Sequence, residues 1–263
     1  MGGSAAALDG AALLEAVTEV ARLAGDAAMR HFKQAIAVET KADGSPVTIA
    51  DRAAEGAARE WIRARFPRDG ILGEEFGIEG EDAPCRWILD PIDGTKSFVH
   101  GVPLWGTLVA VASGDRVLAG GAYFPPVGEM LVAAPGAGCW WNGARCSVSG
   151  VATIAEATVL STDHRFLDHP VHGERWNALS QGARLARTWG DCYGYLLVAT
   201  GRAEVMVDPV LSPWDSAALY PLITEAGGVF TDWEGRASGF GGSAVATNAA
   251  LATEVREALG CST

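Results

Sequence analysis

The segment Trp87-Ile88-Leu89-Asp90-Pro91-Ile92-Asp93-Gly94-Thr95 constrains this chain more than any other. Three apolar residues that read as a buried strand run directly into two carboxylates three positions apart. Pro91 stiffens the turn between them and removes a donor. Gly94 admits a backbone conformation that a Cβ resists. This geometry can aim both carboxylates and the Ile92 carbonyl at one point, the all-oxygen environment that a hard cation such as Mg²⁺ prefers. The N–H groups of Gly94 and Thr95 then suit a phosphate at the start of a helix. Taken alone, Asp90 and Asp93 also fit a plain role as turn formers.

Two further acidic clusters lie far from this segment in the chain. Gly73-Glu74-Glu75 alone reads as a solvated charge pair, and Asp215 in Pro213-Trp214-Asp215-Ser216-Ala217-Ala218 alone reads as an acid that suits a helix N-terminus. Thr48-x-x-Asp51 reads as a capping box. If Glu74, Asp90, Asp93 and Asp215 share one site, they bring about −4, which two Mg²⁺ ions balance, so that a phosphate dianion enters a neutral site.

Charge and composition narrow the partners. Lys plus Arg is 20 and Asp plus Glu is 32, a net charge of −12, which repels phosphate backbones and anionic membrane surfaces. Nucleic acid and membrane are therefore not expected as partners, whereas a small anionic substrate is compatible once metal ions invert the local field. The five cysteines, Cys85, Cys139, Cys146, Cys192 and Cys261, form no C-x-x-C pair and read as reduced thiols. The first ten residues lack the basic and apolar regions of a secretory signal, and a cytoplasmic location is expected.

Apolar periodicity predicts an amphipathic helix over about 11–32 and another over about 49–66. Short strands follow at about 86–89, 104–112, 117–123 and 130–134, which together suggest antiparallel sheet. After about Gly150 strands alternate with helices: strands at 158–161, near Leu185, at 204–207, 229–231 and 244–247, with helices from Cys192, from Pro213 to Ala226 and over 249–259. The division falls at 1–150, which carries most of the metal ligands, and 151–263, which supplies the last one, within one compact unit.

The stretches G-E-E, W-I-L-D-P-I-D-G-T and P-W-D-S-A-A, with V-T-I-A-D at 47–51 and E-A-G-G at 225–228, resemble the inositol monophosphatase superfamily of metal-dependent phosphomonoesterases. The resemblance implies an α+β fold, the layered αβαβα sandwich of the sugar phosphatases, generally as a homodimer. It implies that Glu74, Asp90 and the Ile92 carbonyl hold a first Mg²⁺. Asp90, Asp93 and Asp215 would hold a second, and Glu74 would face a third ion through water. Thr95, oriented by Asp51, would position an attacking water activated by metal, with Glu74 counted in the catalytic set. The N–H groups of Gly94 and Thr95 would bind the phosphate of a small phosphorylated metabolite.

Within the superfamily the chain is most similar to the histidinol-phosphate phosphatase branch. The supporting stretches are F-V-H-G-V-P-L-W-G-T-L-V-A at 98–110, W-G-D-C-Y-G-Y at 189–195 and Val207-Asp208-Pro209. Asp191 and Asp208 are the candidates for reading a cationic substrate, in place of a helix cap and a strand end respectively. Inositol 1-phosphate or another sugar phosphate is the alternative substrate. A reading of another class makes the chain a regulatory dimer that uses the same fold as an interaction surface. The loop carrying Asp163, His164, Asp168, His169 and His172 has metal-ligating residue types without a regular ligand spacing. His100 follows the acidic turn as a possible pocket residue, and Trp105 and Trp189 lie near the site segments.

Overall fold

The computed structural model describes residues 3–41, 44, 46–166 and 169–261. The first long helix, α1 (Gly10–Met29), begins where Asp9 accepts a hydrogen bond from Ala12 N at 2.9 Å. Its apolar stripe of Leu13, Val17, Val20, Ala21 and Ala24 is buried, the helical period read from the sequence. A short hairpin of β1 (Val38–Thr40) and β2 (Pro46–Thr48) leads into α2 (Ile49–Arg65), which buries Ala54, Ala58, Trp61 and Ile62.

The next strands are β3 (Gly70–Gly73), β4 (Gly77–Glu79), β5 (Arg86–Asp93), β6 (Gly106–Ser113), β7 (Arg116–Phe124), β8 (Glu129–Ala134), β9 (Gly138–Trp141) and β10 (Ala144–Arg145). They form one sheet in the order β10-β9-β8-β7-β6-β5-β3-β4. It is antiparallel except where β3 and β5 run parallel. The short helix α3 (Thr95–Val99) sits between β5 and β6.

The second sheet contains β11 (Thr158–Ser161), β12 (Leu185–Arg187), β13 (Val205–Asp208), β14 (Val229–Thr231) and β15 (Ala244–Thr247), in the order β12-β11-β13-β15-β14. Its helices are α4 (Pro170–Gly182), α5 (Asp191–Ala199), α6 (Pro213–Glu225) and α7 (Ala252–Leu259). Three apolar cores follow from this order. One lies between α1, α2 and the first sheet. A second joins the other face of that sheet to α5, α6 and the second sheet. A third lies under α4 and α7. The layers are therefore αβαβα, the α+β sandwich.

Adjacent glycines in β7 let helices approach both faces of the first sheet. A Cβ on Gly120 would collide with the Ala218 carbonyl of α6, and one on Gly121 with the Val17 side chain of α1. The change of texture at Gly150 falls between the two sheets, and the middle core draws residues from both sides of it, Leu108 and Phe124 with Leu196 and Met206.

Sequence periodicity predicted a strand ending at Leu89, but β5 continues to Asp93. A bulge between Asp90 and Asp93 accommodates Pro91, whose carbonyl accepts from Thr107 Oγ1 at 2.8 Å. Strands β3, β4, β9 and β10 and the β1–β2 hairpin lie outside the strands predicted from the sequence. The closing helix begins at Ala252 rather than at 249, after Asn248 Oδ1 accepts from Leu251 N.

Candidate active site

Three helix N-termini and the end of one central strand converge at the rim between the two sheets. The β5 bulge carries Asp90 and Asp93, and α6 brings Asp215 from more than a hundred residues away. Each of these three offers an oxygen lying within 4.8 Å of the others. Among the described residues this is the one group of three or more His, Cys, Asp or Glu side chains close enough to share an ion. Asp168 lies outside the described residues; His169 and His172 are stacked edge-on, their ring centroids 5.5 Å apart.

The cluster is electrostatically hostile to its own charge. Burial, reinforced by Glu74, Asp93 and Asp215, holds the Asp90 carboxyl well above the ordinary carboxylate range. Burial does the same to Asp93, with Asp191 and Asp215 adding to it. Burial pushes Asp215 up to about 6. Crowded carboxylates behave this way when no cation balances them. The donor set is all oxygen, which fits a hard divalent cation.

Two of the acids are anchored by helix capping. Ser212 N donates to Asp215 Oδ2 at 2.7 Å, so one oxygen serves the helix while the residue also belongs to the cluster. Asp51 occupies the equivalent place on α2. Thr48 N and Thr48 Oγ1 donate to its Oδ2 at 2.8 and 2.7 Å, while its Oδ1 is buried with no partner. The capping box and an available acceptor thus coexist in one side chain. The hydroxyl of Thr95 donates to the Ile92 carbonyl at 2.9 Å, and Ile92 N donates to Asp90 Oδ1 at 3.1 Å.

Glu74 stands outside the close triad of aspartates. Its carboxylate meets Lys41 Nζ at 2.6 Å, and the same ammonium reaches Glu75 at 2.5 Å. Burial lifts Glu75 to about 7. The field of Glu74 nevertheless reaches Asp90, Asp215 and Asp51.

A cleft of about 600 Å³ opens beside the cluster, lined among others by Gly94, Thr95, Thr162, Thr188, Asp191 and Asp215. Gly94 has φ +84°, a left-handed conformation, and a Cβ there would press on Asp191 Oδ2 and the Leu104 carbonyl. Asp191 also has positive φ, +49°, which is uncommon for a residue with a side chain. Its N–H donates to Thr162 Oγ1 at 2.9 Å, and its carboxylate makes no capping bond to α5. Burial raises the Asp191 carboxyl, with Lys96 and Ser97 opposing.

Asp208 is placed differently. It is buried at the end of β13, accepts from Tyr195 Oη at 2.9 Å, and lines an inner cavity of about 150 Å³ with Asp93, Asp191 and Asp215. Burial pushes it up to about 7. It therefore sits beneath the cleft and does not line its wall. His100 is exposed and bonded to the Lys96 carbonyl, Trp105 is fully buried, and Trp189 is partly exposed. Sequence reasoning did not single out Lys41 or Cys192, whose N–H donates to Asp93 Oδ2. Lys41 belongs to none of the quoted stretches, and Cys192, though inside W-G-D-C-Y-G-Y, meets Asp93 through its backbone N–H, a contact that its side chain does not signal.

The profile of the inositol monophosphatase family matches residues 9–261. This chain belongs to the inositol monophosphatase family. It is a phosphatase of a metal-dependent family that acts on small phosphorylated substrates. A histidinol-phosphatase of Chlorobaculum parvum is 42% identical over 249 residues, covering 94% of this chain and 96% of the relative. An inositol-1-monophosphatase of Mesorhizobium japonicum is 34% identical over 231 residues, covering 85% and 86%. The crystal structure of the extragenic suppressor protein suhB from Bartonella henselae superposes with a TM-score of 0.88 at 28% identity, covering 94% of this chain and 98% of that one. No helix among the described residues is long and apolar enough to cross a membrane.

Proposed function

We propose that this chain is a Mg²⁺-dependent phosphomonoesterase that hydrolyses L-histidinol phosphate to L-histidinol and phosphate in histidine synthesis, as a cytoplasmic homodimer. The observation that carries the substrate choice is the placement of Asp191. Its carboxylate lines the cleft beside Gly94, in a left-handed backbone conformation and without a helix-capping bond. Similarity to a histidinol-phosphatase across nearly the whole chain supports the same reading. Histidinol phosphate carries an ammonium and an imidazole away from its phosphate, and a carboxylate there pairs with that cationic end.

Glu74, Asp90, the Ile92 carbonyl, Asp93 and Asp215 are the residues that would hold Mg²⁺, which supplies positive charge against the phosphate and lowers the pKa of a bound water. The chain's own groups do the rest. Gly94 and Thr95, where α3 begins, face the cleft and receive the phosphate through their N–H groups. Thr95 donates to the Ile92 carbonyl, which leaves its lone pairs to accept from a water in line with the phosphorus. Asp51 holds Oδ1 in reserve as the acceptor that fixes the Thr95–water arrangement. Asp208 acts from below the cleft, through the inner cavity it shares with Asp191.

The test is a steady-state comparison of histidinol phosphate, inositol 1-phosphate and glycerol 2-phosphate with the wild type and Asp191→Asn. Loss of a charge-assisted hydrogen bond of about 1.5–3 kcal/mol raises KM for histidinol phosphate about 10- to 150-fold. Glycerol 2-phosphate, which has no cation, is hydrolysed as before. Equal losses on both substrates would make Asp191 a support of the site, and a preference for inositol 1-phosphate would overturn the substrate. Sedimentation velocity tests the dimer.

A further inference from the structure

Glu55 and Arg59 lie one turn apart on α2, and both are buried, at 0% and 3% exposure. Glu55 Oε1 accepts from Arg59 Nε at 2.7 Å. The same carboxylate accepts from the two peptide N–H groups that follow Glu74, from Glu75 N at 2.8 Å and from Phe76 N at 3.2 Å. Arg59 takes the other arm of the turn, donating to the Gly77 carbonyl at 2.5 Å and to Glu79 at 3.2 Å. The pair is thus inserted into the β3–β4 turn and holds both of its arms. Gly73 is part of the fit, since a Cβ there would collide with the Glu55 carboxylate. On its other side, Glu74 N donates to the Leu89 carbonyl at 3.2 Å, one residue before Asp90.

We propose that Glu55 is a positioning residue for the metal centre, which sets the direction of the Glu74 carboxylate by clamping the peptide groups after it, with Arg59 as its counter-charge. The proposal rests on the reading of Glu74 as a metal ligand. A buried ion pair is a poor device for stability alone, because apolar residues of similar volume usually do as well or better. It is a good device for fixing a turn. A carboxylate receives two diverging N–H groups at once, and a guanidinium presents its donors in a rigid fork. With Glu74 N held by the β5 strand and the next two N–H groups held by α2, the backbone at Glu74 is fixed on both sides, and with it the direction in which the side chain leaves the chain relative to β5. Partners that orient ligands in this way typically contribute about 10- to 100-fold in metal affinity.

The experiment is Mn²⁺ titration of the metal-stripped full chain by calorimetry, with circular dichroism and metal-free melting to establish that each variant is folded. Glu74→Gln defines the loss expected when a ligand is removed. Glu55→Gln keeps the volume but turns an amide NH₂ toward one of the two N–H groups. It should weaken Mn²⁺ binding about 10-fold or more, and raise the Mg²⁺ concentration for half-maximal activity in parallel, while KM for substrate at saturating Mg²⁺ is little changed. Gly73→Ala leaves the Glu55 carboxylate intact but displaces it, and should weaken Mn²⁺ binding in the same way. If Glu55→Gln does not fold, Arg59→Lys takes its place; it keeps the charge beside Glu55 but loses the fork to Gly77 and Glu79. A wild-type Mn²⁺ isotherm in a folded clamp variant, with only its melting temperature lowered, would overturn the proposal and leave Glu55 a purely structural residue. A wild-type isotherm in Glu74→Gln would instead overturn the ligand reading beneath it.

Discussion

Asp51 and Asp215 share one arrangement: each is the third residue of its helix and gives one oxygen to the N–H of the capping residue. A helix N-terminus prefers an acid there for its own stability, so the fold has a reason to hold these side chains rigidly that is separate from chemistry. Asp90 has no such role and lies in the densest crowd of negative charge. Asp90→Asn is expected to abolish turnover in excess Mg²⁺ while the metal-free protein melts at the same temperature or higher, since one repelling carboxylate is gone. Activity near wild type would remove Asp90 from the metal set. Asp208 predicts a pH effect. Its folded-state value is about 7, above the ordinary 3.8. The folded state therefore holds an extra proton between those values, and stability falls as pH rises across that window, with the full loss reached above it. Asp208→Asn should flatten the dependence of melting temperature on pH between about 4 and 7, leaving the variant closest to wild type at the acid end. An unchanged slope would show that Asp208 is ionised in the folded protein.

At the scale of elements, the two ends of α2 and α5 do different work. α2 begins with the Thr48–Asp51 capping box and carries Glu55 one turn and Arg59 two turns further on. Loss of a capping side chain typically costs about 1 kcal/mol, whereas loss of assistance to the attacking water lowers kcat about 10²-fold or more. Because Oδ1 of Asp51 is buried without a partner, Asp51→Asn is expected to show the large kcat loss together with a modest fall in melting temperature. A fall in melting temperature with kcat unchanged would assign Asp51 to capping alone. α5 begins beside the cleft with Asp191, and its first turn is tied to β5 by the Cys192 N–H on Asp93.

Across the whole molecule, the acids come from the first sheet and from α6, and meet at the boundary of the middle core. A shared core makes the two sheets one mechanical unit, and an ion held by Asp90, Asp93 and Asp215 would tie β5 to α6. Mg²⁺ is therefore expected to raise the melting temperature of the full chain as a ligand that binds the folded state. At 100 times its Kd a ligand contributes about 2.7 kcal/mol, and each kcal/mol raises Tm by about 2–4 °C in a chain of this size. A chelator should reverse the shift. Absence of any Mg²⁺-dependent shift in the wild type would contradict a metal centre at this rim.

Local sequence determined much of this protein. The 3.6-residue apolar period specified α1 and α2, because helix burial repeats within a few turns. Asp90 and Asp93 were legible as a candidate site, because the turn Asp90-Pro91-Ile92-Asp93-Gly94 has strong local geometry, whereas Glu74 and Asp215 joined them only through the resemblance to a known family. The αβαβα order was legible through the resemblance to a known family. Only the tertiary structure decided the rest. The extension of β5 through Pro91 depends on β6, whose Thr107 takes the Pro91 carbonyl. The short strands β3 and β4 exist because β5 on one side and the Glu55–Arg59 pair on the other hold them. Asp191 and Asp208 looked alike in the sequence, each an acid next to an apolar element. Burial separated them, placing one beside Gly94 in the cleft and the other under Tyr195, because which face of an element meets solvent is fixed by what packs on it and not by the residue itself.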